Sequence, residues 1–299
     1  MIEGPRALPV RAPFGREEAQ LPADRPSLGR QKPPGAFAPG PLEEVICTFS
    51  RPRHEPARRT RWLVAAAPLA IVVWLALAAL APASGWACSN VEFIGVRGSG
   101  ESYSGNYGMG TQIAPLYERV RARKPANQTL QSYGLEYPAV NVAEWWKAWD
   151  YWFSVWEGDE HLEKRIHSDV SACSSMKILL GGFSQGAHVV GDTIENLTKA
   201  NDAAVGHIYG VAIYGDPRFS KDDHATARGN YNPEHWGLLG ERENYSSKIN
   251  NRLGDWCRLK DAICQGFNAG DLEHHEYAHY EGGLFLQQGA EMMFSHIGW

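Results

Sequence analysis

The chain has 299 residues and a formal net charge of −5, with 29 Lys and Arg against 34 Asp and Glu. The signs are mixed and no basic tract occurs, which excludes nucleic acid as an expected partner. The length allows one α/β domain of about 200 residues plus further segments.

Residues 1–61 are rich in Pro, Arg, Glu and Ala and show no sustained apolar period. Two readings fit them: a disordered extension, or a stretch ahead of a true start near Arg58. From Trp62 to Leu80 the chain is apolar and uncharged, and Arg58, Arg59 and Arg61 precede it. A basic region followed by an apolar core is an export pattern, and Ala81-Pro82-Ala83 offers small residues for cleavage. Residues 62–83 therefore read as a signal peptide. The run also approaches the ~20 residues that span a bilayer, so an uncleaved membrane tether is the other reading. Under either one, residues 84–299 lie outside the cytoplasm, secreted or anchored. Gly85-Trp86-Ala87-Cys88 lacks the aliphatic residue of a lipoprotein signal.

Cys47 precedes the apolar run, and Cys88, Cys173, Cys257 and Cys264 follow it. An even set beyond an export signal suggests two disulfides in an oxidising compartment. At this point all three pairings stay open.

Beyond Cys88, strands and helices alternate. Residues 91–96 read as a buried strand. Residues 111–123 carry Ile113, Leu116, Tyr117 and Val120 at helical spacing. Residues 176–180 are an apolar run ending in Gly181-Gly182, and 188–197 again look helical. Residues 207–214 form a further apolar run closed by Gly215-Asp216-Pro217, and 284–294 read as a closing helix. Such alternation predicts a parallel sheet covered on both faces.

Between Glu144 and Trp156, Trp145, Trp149, Trp152 and Trp156 fall on one helical face. The plainest expectation is that this face packs on the sheet. An exposed apolar platform for lipid or polymer is the sharper one, since large aromatic patches mark interaction sites. Sugar stacking is a third. The sequons at Asn127, Asn196 and Asn244 matter only in a source that glycosylates exported proteins.

The strongest chemical signal is Gly182-Phe183-Ser184-Gln185-Gly186, set between an apolar strand and a helical pattern. A serine on a sharp strand-to-helix turn lifts its hydroxyl above the sheet, and side chains two residues either side would crowd that turn. A serine hydroxyl needs a base, and the base an orienting carboxylate; in this architecture they follow the serine as acid, then His. Candidate acids are Asp216, Asp261 and Asp271. Candidate bases are His274, His275 and His279, while His188 lies along the following helix. Phosphate-loop and zinc-type spacings are absent, and this chemistry needs no cofactor and no metal.

Several segments together resemble the cutinase family, and they span the chain from Cys88 to its end. Cys257-Arg258-Leu259-Lys260-Asp261-Ala262-Ile263-Cys264 is similar to the small disulfide loop that carries the family's catalytic Asp. Gly181 to Ala187 resembles its elbow, and Arg97-Gly98-Ser99-Gly100-Glu101 its oxyanion segment. His274-His275-Glu276-Tyr277 resembles its H-x-x-Y, which selects His274 among the three histidines. Cys88 and Cys173 each lie eleven residues before Ser99 and Ser184, a spacing similar to that of the family's long-range disulfide.

The resemblance implies pairings Cys88–Cys173 and Cys257–Cys264. It implies Ser184 as nucleophile, His274 as base, Asp261 as its carboxylate, and Ser99 and Gln185 as oxyanion donors. Arg97 and Glu101 are expected as a structural ion pair. The implied fold is an α/β-hydrolase three-layer sandwich with a central, mostly parallel five-stranded sheet. The implied activity is a serine esterase acting on polyester or lipid acyl chains, with acetylxylan or mycolic-type cell-envelope esters as alternatives. A catalytically idle lipid- or envelope-binding module is the reading of a different class. A monomer is expected.

Overall fold

The computed structural model describes residues 88–141, 148–266 and 273–299. Cys47, the apolar run from Trp62 to Leu80, Trp145, Trp146 and Asp271 lie outside them. Among the described residues no helix is long and apolar enough to cross a membrane.

The first strand, β1 (Val91–Val96), is buried along its whole length. Then come α1 (Gly110–Arg123), β2 (Leu130–Gly134) and α2 (Ala148–Ala172). The central segment is β3 (Lys177–Phe183), α3 (Gln185–Lys199) and β4 (Ile208–Tyr214). β5 (Ala227–Gly229), β6 (Leu253–Cys257), the one-turn α4 (Ala262–Gln265) and α5 (Leu284–Ile297) complete it. The sheet order is β2-β1-β3-β4-β6-β5 and every pairing is parallel. The sheet thus has six strands where five were expected. The strand most easily missed is the three-residue edge strand β5, whose Ala-Arg-Gly carries no apolar signal.

Side chains alternate between two cores, as the two-residue period of a strand requires. Ile178 and Leu180 of β3 and Val211 and Ile213 of β4 face α2 and α3, where Leu162, Ile166, Val190 and Ile194 meet them. Leu179, Ala212 and Tyr214 face the opposite way, onto Ile113, Leu116, Leu286 and Met293 of α1 and α5. Both faces being covered, the central strands read as continuous apolar runs. This is the three-layer α/β sandwich that the alternation predicted.

Cys88 pairs with Cys173 and Cys257 with Cys264, as the resemblance implied. The first joins the approach to β1 with the end of α2; the second closes the turn between β6 and α4. Their loops differ, with sequence separations of 85 and 7. In the chain-entropy account the long loop contributes about 4–5 kcal/mol and the short one about 2.5 kcal/mol. Replacing each pair by Ala is therefore expected to lower the urea-unfolding free energy in that order. A larger loss from the Cys257–Cys264 pair would show that positioning, rather than loop entropy, dominates its contribution.

Candidate active site

Ser184 sits between the end of β3 and the start of α3 with φ 55° and ψ −118°. A non-glycine residue held there costs on the order of 1–3 kcal/mol and persists only where its surroundings over-determine it. They do: the Ser184 amide donates to the Tyr214 carbonyl of β4 at 2.9 Å, and the His188 amide donates to the Ser184 carbonyl at 3.0 Å. The flanking glycines have no room for a side chain. A Cβ on Gly182 would fall 2.6 Å from the Gly186 carbonyl oxygen, and one on Gly186 would fall 2.2 Å from that of Val96. The turn is thereby pressed against the end of β1.

His274 lies in the segment after α4, its ring stacked on Phe183 at 4.8 Å between centroids, immediately before Ser184. Its Nδ1 meets both carboxylate oxygens of Asp261, at 3.0 and 2.9 Å. Asp261 is fully buried and also accepts from the Ile263 amide at 2.8 Å. A third donor was not foreseen: the Tyr277 hydroxyl gives Asp261 Oδ2 a hydrogen bond of 2.6 Å. That hydroxyl in turn accepts from the Arg258 amide at 3.1 Å and lies 3.4 Å from Cys264 Sγ. Burial alone would push the Asp261 carboxyl up. The charge of His274 and the bonds from His274, Tyr277 and Ile263 overcome this and hold it below the usual carboxylate range. Burial, reinforced by Asp261, pushes the Tyr277 hydroxyl well above its ordinary value, so it stays protonated and donates.

The opposite ring nitrogen of His274, Nε2, is buried and makes no hydrogen bond among the described residues. A ring fixed by a carboxylate on one nitrogen and open on the other can take a proton from a hydroxyl presented beside it. Gly215 keeps the space for this ring. A Cβ there would lie 2.8 Å from His274 Cε1 and 3.2 Å from Asp261 Oδ2. Of the rival histidines, His275 and His279 are exposed and neither bonds Asp261, although the His275 ring lies 5.3 Å from that of His274. His188 is buried against Tyr151, 2.9 Å from its hydroxyl, and 3.3 Å from Asp192. Asp216 caps its own turn through the Arg218 amide (2.9 Å) and pairs with buried Arg242 at 3.1 Å.

On the other side of Ser184, the Arg97–Ser99 turn lies over Phe183, since a Cβ on Gly98 would fall 2.6 Å from Phe183 Cδ1. The Ser99 hydroxyl donates to the Val140 carbonyl. Gln185 is fully buried, its Oε1 accepting from Ser154 of α2 at 3.1 Å. As the first residue of α3, its amide has no intrahelical acceptor and is available to an anion above the turn. The expected Arg97–Glu101 ion pair does not form. Arg97 donates to the carbonyls of Glu101, Leu135 and Tyr137, at 3.0, 3.0 and 2.5 Å. The Glu101 carboxylate instead accepts from the amides of Gly98 and Thr111, at 2.7 and 2.6 Å. Both side chains are anchored to backbone, which fixes the turn more firmly than a mutual contact would.

The cutinase family model matches residues 87–286. Phospholipase Culp4 of Mycobacterium tuberculosis is 31% identical over 176 residues, 55% of this chain and 69% of that protein. Carboxylesterase Culp1 of the same species is 29% identical over 163 residues, 52% and 67% of the two chains. Among solved structures, an acetylxylan esterase has a TM-score of 0.57 at 21% identity, covering 71% of this chain and 100% of its own. A cutinase-like protein from Cryptococcus has a TM-score of 0.54 at 19% identity, covering 71% and 97%. These structural likenesses support the fold.

Single Ala replacements of His274, His275 and His279, compared at pH 8 on p-nitrophenyl butyrate, should separate sharply. His274→Ala is expected to lose at least about a thousandfold in kcat, and the other two only a few-fold. A dead His275→Ala or His279→Ala with an active His274→Ala would overturn the assignment of the base.

Proposed function

The chain belongs to the cutinase family and is a carboxylic ester hydrolase, and we propose that Ser184, His274 and Asp261 carry its reaction through an acyl-enzyme. The observation that carries this reading is the carboxylate-bound ring of His274 stacked beside the strained turn of Ser184. His274 Nε2 takes the Ser184 proton as the oxygen attacks the ester carbonyl. Asp261 fixes the Nδ1–H tautomer and stabilises the imidazolium. The Gln185 amide faces the developing oxyanion, and the Ser99 hydroxyl joins it by turning from the Val140 carbonyl. Each such donor contributes about 3–4 kcal/mol in serine hydrolases. The imidazolium then protonates the leaving alcohol, and water, activated by the same nitrogen, releases the acid.

A lipid-type acyl ester is the substrate class we favour, in keeping with the phospholipase and carboxylesterase names of the two mycobacterial relatives. The complete set of contacts around His274 favours turnover over a purely lipid-binding module. Two disulfides and the apolar run from Trp62 to Leu80 support work outside the cytoplasm. In that scheme residues 62–83 direct export and residues 84–299 form the enzyme.

Ser184→Ala is expected to lose on the order of 10⁴ to 10⁶ in kcat on short acyl esters. A variant that kept more than about a tenth of wild-type turnover, with an unchanged circular dichroism spectrum, would sink the nucleophile. Tyr277→Phe tests the carboxylate's third donor. Without that bond the buried Asp261 carboxylate loses one of its three donors. The loss of a hydrogen bond of about 0.5–1.5 kcal/mol corresponds to a fall of about 2- to 10-fold in kcat/KM on short acyl esters. An unchanged kcat/KM with lowered thermal stability would make Tyr277 a packing residue only.

A further inference from the structure

The face of α2 that carries the tryptophans does not pack on the sheet. Val155, Leu162 and Ile166 do that, while Trp149 is 76% exposed, Phe153 63% and Trp156 64%. These three recur at helical spacing and form one outward stripe. Trp152, 46% exposed, leans on the His188 ring at 5.5 Å. The inner face of the same helix touches the site. Ser154, on the same turn but buried, bonds Gln185 beside the nucleophile. α2 follows parallel strand β2, so its first turns stand at the carboxyl ends of the strands, where Ser184 and the Asp261 turn also lie.

A second apolar patch lies on the far side. Trp236 is 49% exposed and Leu239 39%. Their segment is tied to the Asp261 turn by Leu238 N to Ile263 O, and to the end of β4 by Leu239 N to Pro217 O, both at 2.8 Å. Large exposed aromatics on both sides of a site mark a contact surface, and Trp suits a boundary between apolar and wet phases. The charge beside the stripe narrows the occupant. Ahead of Lys164, α2 carries Asp150, Glu157, Asp159, Glu160 and Glu163 and no Lys or Arg. An anionic surface would be repelled there.

We propose that Trp149, Phe153 and Trp156, with Trp236 and Leu239 opposite, seat the enzyme on a lipid surface without net charge, Ser184 facing it. The proposal deepens the esterase reading and rests on it for the direction of the site, but its binding test does not need turnover.

The full chain and its Trp149→Ala/Phe153→Ala/Trp156→Ala variant would be mixed with phosphatidylcholine vesicles and with vesicles containing phosphatidylglycerol. Partition would be read by flotation and by quenching of tryptophan fluorescence with brominated lipid. Expected is at least a tenfold weaker partition of the variant, and no stronger wild-type binding on anionic vesicles. In parallel, the variant's loss on an emulsified ester should exceed its loss on a monomeric soluble ester at least tenfold. Should the triple variant fail to fold, Trp149→Glu and Trp156→Glu, each at an exposed position, carry the same comparison. Equal partition of variant and wild type would overturn the proposal and leave membrane binding to residues 62–80. Tighter binding to the anionic vesicles would overturn the choice of surface. A wild type that is dimeric in sedimentation, without vesicle binding, and a monomeric variant would show that a second copy covers the stripe. Failure of the esterase reading would appear separately, as absent wild-type turnover on the soluble ester.

Discussion

Everything at the carboxyl end of this sheet is arranged around one cramped turn. Ser184 can hold its unfavourable backbone angles only because Gly182 and Gly186 let the turn close against β1, and because β4 accepts its amide. The same closeness brings Phe183 under both the His274 ring and the Arg97–Ser99 segment. Ser184, His274 and the Arg97–Ser99 segment therefore share one packing surface. A shift of the turn would displace all three together, so the strain is best understood as held by the whole core rather than by local contacts.

The charges behind the turn centre on a buried pair, Arg242 and Asp216, ringed by partly exposed groups. Arg242 meets Asp216 and Asp192, with Glu195 and Arg218 close by. Burial would push Asp192 up, yet bonds and charge from His188 and Arg242 hold it below the usual range. Removing one partner from such a cluster strands the others and costs about 3–5 kcal/mol, whereas the assembled cluster adds little net stability. Its physical result is rigidity. It fastens the loop after β4, which carries Gly215 beside His274, to the helix that follows Ser184.

The assembly of the candidate site was more legible in the sequence than the edges of the fold. Glycines around a serine, an aspartate inside a short cysteine loop and a following histidine are short-range patterns, and the backbone they require is local. β2, β5 and β6 gave little signal. Leu-Gln-Ser-Tyr-Gly and Leu-Gly-Asp-Trp-Cys are strands because of the neighbours they pair with, and β6 buries a carboxylate, Asp255, where an apolar side chain would have signalled a strand. The tryptophan stripe misled for a different reason. Helical periodicity finds an apolar face but not the direction it points, and here the inward face is the plainer Val155, Leu162 and Ile166. Arg97 and Glu101 are close enough in sequence to suggest each other, yet backbone partners satisfy both more completely. The Tyr277 bond needed three-dimensional placement, since nothing in H-x-x-Y says where the hydroxyl goes.

The strand order also sets a timetable for a chain that emerges amino end first. β1 is made early but its two neighbours come later, and Cys88 must wait for a partner 85 residues downstream. β5 is made before β6 yet pairs only with it, so the edge of the sheet cannot dock until its inner neighbour is in place. Asp261 and His274 come late, ahead only of the closing helix α5. A nascent chain thus carries β1 unpaired until β2 and β3 are made, and the turn at Ser184 precedes Asp261 and His274. With the roles proposed for Asp261 and His274, chemistry waits until the chain is nearly complete, a built-in delay between manufacture and turnover.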